Sequence, residues 1–86
     1  MHTMERSEIL TRVTAIFRDE LDNESIVLAD ATTANEIAEW DSLNHIQLVV
    51  AVEKQFRIRF ASGEIQRWKN VGEMIDSISA KLNKQP

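Results

Sequence analysis

One serine in this 86-residue chain stands where a helix is expected to begin, and its hydroxyl is the group best placed to do chemistry. Ser42 follows Asp41, a residue type that caps helices, and Leu43 opens an apolar run with helical spacing. A helix start offers unpaired N–H groups and the positive end of the helix dipole, so a phosphate ester on this serine is electrostatically favoured. Because no residue nearby in the sequence supplies a general base, we expect a covalently attached phosphate-linked group and no catalytic residue.

Length and composition exclude several classes of function. A chain of this length is expected to form one domain, over residues 1–86, and to bury only about 60% of the surface that its unfolded state exposes. It has no cysteine, so we expect no disulfide, no thiolate nucleophile and no thiolate metal site. Neither histidine has a second histidine or an acid cluster at a metal-ligand spacing, so we expect no other metal site. The net charge of −4 argues against a nucleic-acid partner. No apolar run is long enough for a membrane span and the N-terminus is too polar for a signal sequence, so we expect a cytoplasmic protein.

Apolar spacing and capping residues predict an all-α fold, a four-helix bundle with three main helices, one short helix and a long first loop. The expected helices run from Met4 to Leu21, from Ser42 to Phe56, from Ser62 to Arg67, and onward from Asn70-Val71-Gly72-Glu73. Asp41 is the expected N-cap of the second helix, and Asn70 that of the last. The last helix carries one apolar stripe, formed by Val71, Met74, Ile75, Ile78 and Leu82.

The segment from Asp22 to Trp40 has no sustained period and forms the expected long loop. Three of its aliphatic residues are expected to pin it to the core, so we predict an ordered loop: Ile26, Leu28 and Ile37. Trp40 is either an anchor of this loop or part of the surface around Ser42, and the sequence leaves both open. We expect Trp68 in the core and His45 as a part-buried packing residue rather than a base.

The second helix carries more apolar surface than one packing face needs. Two adjoining sectors of its helical wheel are apolar, one with Leu48, Val49, Val52 and Phe56 and the other with Leu43, Ile46 and Val50. Together they span roughly 220°, about twice the stripe by which a surface helix faces a core. Either the helix packs between others on both sides, or the second sector stays exposed for partners. The position of the second sector beside Ser42 favours a partner surface, because an enzyme acting on Ser42 must bind there.

The motif Asp41-Ser42-Leu43 at a helix start, with the apolar helix behind it and Phe56-Arg57-Ile58 after it, resembles the acyl carrier proteins. With Trp40 in front, the motif is similar to that of stand-alone carriers outside the main fatty-acid pathway. The resemblance extends over nearly the whole chain, since the first helix, the long first loop, the short third helix and the Asn70-Val71 opening of the last helix also have counterparts.

This resemblance implies a cofactor and a role for each residue of the motif. Ser42 would carry 4′-phosphopantetheine through a phosphodiester, and the thiol of this arm would hold an acyl or aminoacyl group as a thioester. Asp41 would help a phosphopantetheinyl transferase and its metal to engage the serine. Leu43 would pack against partner enzymes.

Two departures from the family pattern concern charge. Glu39 stands where many carriers have glycine, and the second helix, strongly acidic in typical fatty-acid carriers, keeps only Glu53 of its acidic positions. This argues against docking on a strongly basic patch of fatty-acid synthase enzymes. The expected partner-binding residues are Leu43, Asn44, Ile46, Gln47, Val50, Glu53 and Lys54.

We therefore expect a monomeric carrier, not an enzyme, that works in fatty-acid or polyketide biosynthesis or a small modification pathway. Its expected partners are the transferase and acyl-activating or acyl-transferring enzymes. One alternative is a helical adaptor that has the same fold but no arm. Another is a small enzyme, which the absence of a base near Ser42, of cysteine and of a glycine-rich loop argues against.

Overall fold

The computed structural model of this chain describes residues 5–84, apart from the side chains of Ser42, Asn83 and Lys84. Its elements, in chain order, are α1 (Arg6–Glu20), a 3₁₀ turn (Ala34–Glu36), α2 (Ser42–Phe56), α3 (Ser62–Arg67) and α4 (Val71–Lys84). The prediction of three main helices, one short helix and a long first loop is confirmed. The predicted start of α1 at Met4 lies outside the described residues, and its predicted last residue, Leu21, is the C-cap.

The core lies between α1, α2 and α4, with α1 in contact with both of the others. Each helix contributes the apolar face that its sequence period sets, and burial of each aliphatic side chain contributes about 1.5–3 kcal/mol relative to exposure. The largest fully buried side chains are Phe17, Ile9, Leu48, Met74, Ile75, Ile78, Val13, Val52 and Val71. The predicted stripe of α4 is therefore confirmed, with Leu82 partly buried at its far end.

The long loop between α1 and α2 is ordered, as predicted, because its aliphatic residues reach the core. Ile26 and Leu28 are buried, and Ile37 packs against the core from a partly buried position. Within the loop, the hydroxyl oxygen of buried Thr32 accepts a hydrogen bond from the backbone N–H of Ala29 at 2.8 Å. A polar side chain in the interior is tolerated when it is hydrogen-bonded in this way.

The same loop also holds the first turn of α4. The N–H of Val71 donates to the carbonyl oxygen of Thr32 at 2.9 Å, and the N–H of Gly72 donates to that of Asp30 at 2.8 Å. These contacts satisfy two of the N–H groups that a helix start leaves without a partner inside the helix. As predicted, Asn70 caps α4, since its side-chain oxygen accepts from the N–H of Glu73 at 2.9 Å.

Candidate functional site

Ser42 is the first residue of α2, a helix of 15 residues, and its side chain lies outside the described part of the chain. Asp41 precedes it in an extended conformation and its Oδ1 accepts a hydrogen bond from the N–H of Asn44 at 2.8 Å, which confirms the predicted N-cap. Asp41 is exposed, and the first turn of α2 contains no acidic residue. A phosphodiester on the serine would therefore meet the positive end of the dipole of α2, so this helix start fits the group.

The second apolar sector of α2 is exposed beside this helix start. Leu43, Ile46 and Val50 are 73%, 58% and 42% exposed, and we call these three residues the exposed sector. The first sector is buried in the core: Leu48, Val49, Val52 and Phe56. The structure thus rules out the explanation in which α2 packs between helices on both sides, and it leaves an apolar surface next to Ser42.

The polar residues predicted to bind partners divide into two groups. Gln47 and Lys54 are exposed, whereas Asn44 and Glu53 are partly buried and hydrogen-bonded within the chain. The side-chain amide of Asn44 donates to the carbonyl oxygen of Glu39 at 2.8 Å. The carboxylate of Glu53 accepts from the N–H of Phe60 at 2.8 Å, which holds the connection between α2 and α3. Asn44 and Glu53 therefore have a structural role that could not be recognised from the order of residues alone.

An open cleft of about 660 Å³ also adjoins the helix start, between the long loop, α2, the end of α3 and the residues that follow α3. It is lined by Ala34, Trp40, Asp41, His45, Gln66, Trp68 and Lys69. Trp40 is buried, with its ring edge-on to Phe17 at a centroid distance of 4.9 Å, so it anchors the loop and also forms a wall of the cleft. Trp68 is only partly buried, which corrects the expectation that it belongs to the core.

A hydrogen bond between two cleft residues determines which ring nitrogen of neutral His45 carries the proton. The Nε1–H of Trp40 donates to Nδ1 of His45 at 2.9 Å, and the two rings are stacked with centroids 6.0 Å apart. Because Nδ1 accepts, the proton of the neutral imidazole lies on Nε2. Burial lowers the pKa of His45 below its ordinary value, which favours this neutral form. His45 is therefore a part-buried packing residue, as predicted, with a hydrogen bond that nothing in its sequence position indicates.

Two further findings concern the described part of the chain. Within residues 5–84 there is no group of three or more histidine or acidic side chains that could hold a metal ion. No helix in this described range is long and apolar enough to cross a membrane.

The chain is similar in sequence to proteins named acyl carrier protein, although no protein-family model matches it. It is 35% identical to the one from Thermosynechococcus vestitus (strain NIES-2133 / IAM M-273 / BP-1) over 81 residues, which cover 92% of this chain and 98% of that protein. The chain belongs to the acyl carrier protein family. The acyl carrier protein of Cyanidium caldarium is 32% identical over 79 residues, covering 91% of each chain.

A solved structure supports the same family assignment. The solution NMR structure of a holo acyl carrier protein from Geobacter metallireducens is 47% identical in sequence and superposes with a TM-score of 0.82, covering 87% of this chain and 86% of that one. Acyl carrier proteins are carriers rather than enzymes, and they carry acyl groups on a covalent phosphopantetheine arm. The predicted family, fold, carrier function and cofactor are thereby confirmed.

Proposed function

We propose that this acyl carrier protein holds its 4′-phosphopantetheine arm on Ser42, through a phosphodiester to the serine oxygen. The observation that supports this attachment site is the position of Ser42, first in α2 and directly behind the capping Asp41. The dipole of α2 stabilises negative charge at this point. When bound, the arm supplies the thiol that this cysteine-free chain lacks, and that thiol holds an acyl or aminoacyl group as a thioester.

The residues around Ser42 are proposed to bring enzymes to the arm. Asp41 has an exposed carboxylate one residue before the attachment site, where it supports modification by a phosphopantetheinyl transferase. The exposed sector offers the apolar contact on which partner enzymes dock, with Gln47 and Lys54 at its edge. Carriers of this family work with biosynthetic enzymes. Those that activate or transfer acyl groups are the proposed partners, in fatty-acid or polyketide biosynthesis.

The proposed protein is a single carrier domain over residues 1–86. Its monomeric state and a cytoplasmic location stay predictions. They can be checked by the mass of the protein in solution and by fractionation of its host.

The attachment site is tested by the intact mass after incubation with a transferase and coenzyme A. The wild type should gain one phosphopantetheinyl group, and Ser42→Ala none. Ser62→Ala is a matched control, because Ser62 is likewise the first residue of a helix, α3, and its loss should leave modification complete. Modification of Ser42→Ala would overturn the assignment. A wild type that several promiscuous transferases leave unmodified would instead favour the helical adaptor.

A further inference from the structure

Three exposed cations gather at the end of α2 that lies away from Ser42. Lys54 is in the last turn of the helix, and Arg57 and Arg59 follow its last residue. All three line one open cleft of about 510 Å³, and we call these three residues the cationic patch. Val50 of the exposed sector lines the same cleft, so the cationic patch continues the apolar surface of α2.

The backbone that follows α2 is held in place before any partner binds. Arg57 has a left-handed conformation, with a φ of 58°, and its N–H and that of Ile58 both donate to the carbonyl oxygen of Glu53. Ile58 is buried, and the N–H of Phe60 donates to the carboxylate of Glu53 at 2.8 Å. Because Ile58 packs into the core, its neighbours Arg57 and Arg59 stay exposed at the surface. The backbone under the cationic patch is therefore preformed, which spares part of the ordering cost of binding.

The cationic patch has the opposite sign to the molecule as a whole, whose net charge is −4. Residues 50–70 contain five cations and only two acids, Glu53 and Glu64. Both acids are part-buried and hydrogen-bonded within the chain. The carboxylate of Glu64 accepts from the N–H of Ala61 and pairs with the ammonium of Lys81, each at 2.9 Å. The exposed charge of this segment is therefore positive, and such a cluster creates a local potential that attracts an anionic partner.

The order of charges along α2 indicates what kind of partner is anionic here. A helix of 15 residues is about 22 Å long, so a partner held at the cationic patch leaves the helix start with Ser42 accessible. Along this axis the surface changes from the exposed carboxylate of Asp41, through the apolar exposed sector, to the cationic patch. A uniformly anionic membrane surface would repel the end with Asp41. An enzyme can match all three zones, with its active site at the first and its carboxylates at the last.

We propose that the cationic patch is the docking site for an acidic surface on the enzymes that load or unload the arm. The proposal rests on attachment of the arm at Ser42, since that position decides which end of α2 the active site of the enzyme must reach. Carboxylates of the enzyme pair with the cationic patch while an apolar surface of the enzyme covers the exposed sector. Charge pairs of this kind set the orientation and the association rate of a complex more than its affinity.

Two synthetic peptides test the sign of this docking surface on the unmodified protein. Both form the same amphipathic helix with a leucine face, and the rim of that face is glutamate in one peptide and lysine in the other. At low salt, the glutamate-rimmed peptide should bind at least about fivefold more tightly, since one exposed ion pair contributes up to about fivefold. It should shift the amide NMR signals of the exposed sector and of the cationic patch. The net charge of −4 by itself favours the lysine-rimmed peptide, so equal binding or a preference for lysine would overturn the proposal.

Arg59→Glu should weaken binding of the glutamate-rimmed peptide by about fivefold or more. Arg12→Glu is the matched control, because Arg12 is exposed on α1, outside the cationic patch, and its substitution gives the same net charge. The control should stay within about twofold of the wild type. Equal losses in the two variants would show that only the overall charge matters and would overturn the proposal. The peptides bind the protein without its arm, so a failed attachment at Ser42 is recorded separately, by intact mass.

The enzyme is tested with the holo protein and a host enzyme purified by its transfer of an acyl group to the arm. Its kcat/KM should fall at least about threefold between low salt and about 0.5 M salt, because the screening length shrinks to about 4 Å. Arg59→Glu should be slower than the wild type at low salt only. A kcat/KM that rises with salt would mean that the enzyme presents cations to the cationic patch, and it would overturn the proposal.

Two other occupants of the cationic patch are distinguished with the same variant. Binding to phosphatidylglycerol vesicles that is lost in Arg59→Glu would assign the patch to a lipid surface. A rise in solution mass at high protein concentration that is lost in Arg59→Glu would assign it to a second copy of the chain. Either result would overturn the proposal.

Discussion

At the scale of single residues, the bond from Trp40 to His45 ties a protonation state to the walls of the cleft. Nδ1 of His45 accepts the indole proton at 2.9 Å, and it can accept only while it carries no proton of its own. Burial lowers the pKa of His45 because the charged imidazolium loses solvation. Protonation therefore removes a hydrogen bond and places a charge beside aromatic rings.

The neutral form of His45 in the folded protein predicts how the free energy of unfolding depends on pH. The unfolded chain takes up a proton at His45 near its ordinary pKa of 6.5, and the folded chain does so only at lower pH. The stabilisation is thus complete above about pH 6.5, is lost as the pH falls through the folded pKa, and then levels off. The wild type should lose more stability between pH 7.5 and pH 5 than His45→Gln, by less than about 1 kcal/mol, the net value of one hydrogen bond.

Urea unfolding at several pH values measures this difference. Asp41 and Lys69 line the same cleft and are unchanged in the variant, so their own contributions cancel. Equal losses of stability in the two proteins would show that His45 is not the group that titrates.

At the scale of elements, α2 packs into the core with one face and leaves another apolar face exposed for the proposed docking of partners. One apolar sector holds the helix in the core, and the exposed sector lies beside the proposed attachment site. The exposed sector contributes little to folding, because its side chains remain in water in the folded state. Substitutions there can change partner binding without changing stability.

Leu43→Ala is expected to reduce kcat/KM for transfer of the arm by about tenfold, since burial of a leucine side chain against a partner contributes about 1.5–3 kcal/mol. Val27→Ala is the matched control, because Val27 lies in the long loop and is 74% exposed, almost the same as Leu43 at 73%. The control should stay within about twofold of the wild type, and both variants should unfold at the wild-type temperature. An equal loss in Val27→Ala would mean that the effect comes from general surface hydrophobicity and not from α2.

The bounds of α2 and α3 were predictable from the sequence because their signals are local. The cap at Asp41 reaches only to Asn44, and the apolar period needs only neighbouring turns. The position of Trp68 was not predictable in the same way. Its contacts with His45 and Ser77 join three segments, and they depend on how the connection after α2 turns the chain into α3.

At the scale of the whole molecule, the long loop and α4 are joined by their backbones. The N–H groups of Val71 and Gly72 donate to loop carbonyls, and Arg6 at the start of α1 forms ion pairs with Asp30 in the loop and Asp76 on α4. These ion pairs are exposed and contribute little, about 0–1 kcal/mol each. The close backbone approach is therefore the more important of the two connections.

The two glycines of the chain give a direct comparison for this approach. A Cβ at Gly72 would stand 3.0 Å from the carbonyl oxygen of Asp30 and 3.2 Å from its Cβ, whereas a Cβ at Gly63 in α3 meets nothing within 4 Å. Gly72→Ala should lower the free energy of unfolding by about 1–3 kcal/mol, as overpacking does. Gly63→Ala should raise it by up to about 1 kcal/mol, because alanine favours a helix.

Thermal and urea unfolding of the two variants measure the effect. A Gly72→Ala protein as stable as the wild type would show that the loop can move away from α4 at little cost. A loss of stability in Gly63→Ala would show that the substitution itself, and not the contact with Asp30, is harmful.

Lys54 at the edge of the exposed sector affects which enzymes can bind this carrier. In a host that also makes an acidic carrier, an enzyme with a basic docking site would bring its cations towards exposed Lys54. On α2 it would meet only the part-buried carboxylate of Glu53, which already accepts a hydrogen bond from the N–H of Phe60. Discrimination between carriers is a difference of affinities, and a misplaced like charge widens it. The docking surface proposed on α2, with an exposed cation and no exposed carboxylate, would thus disfavour binding to those enzymes, and two sets of acyl groups would share one compartment without being exchanged.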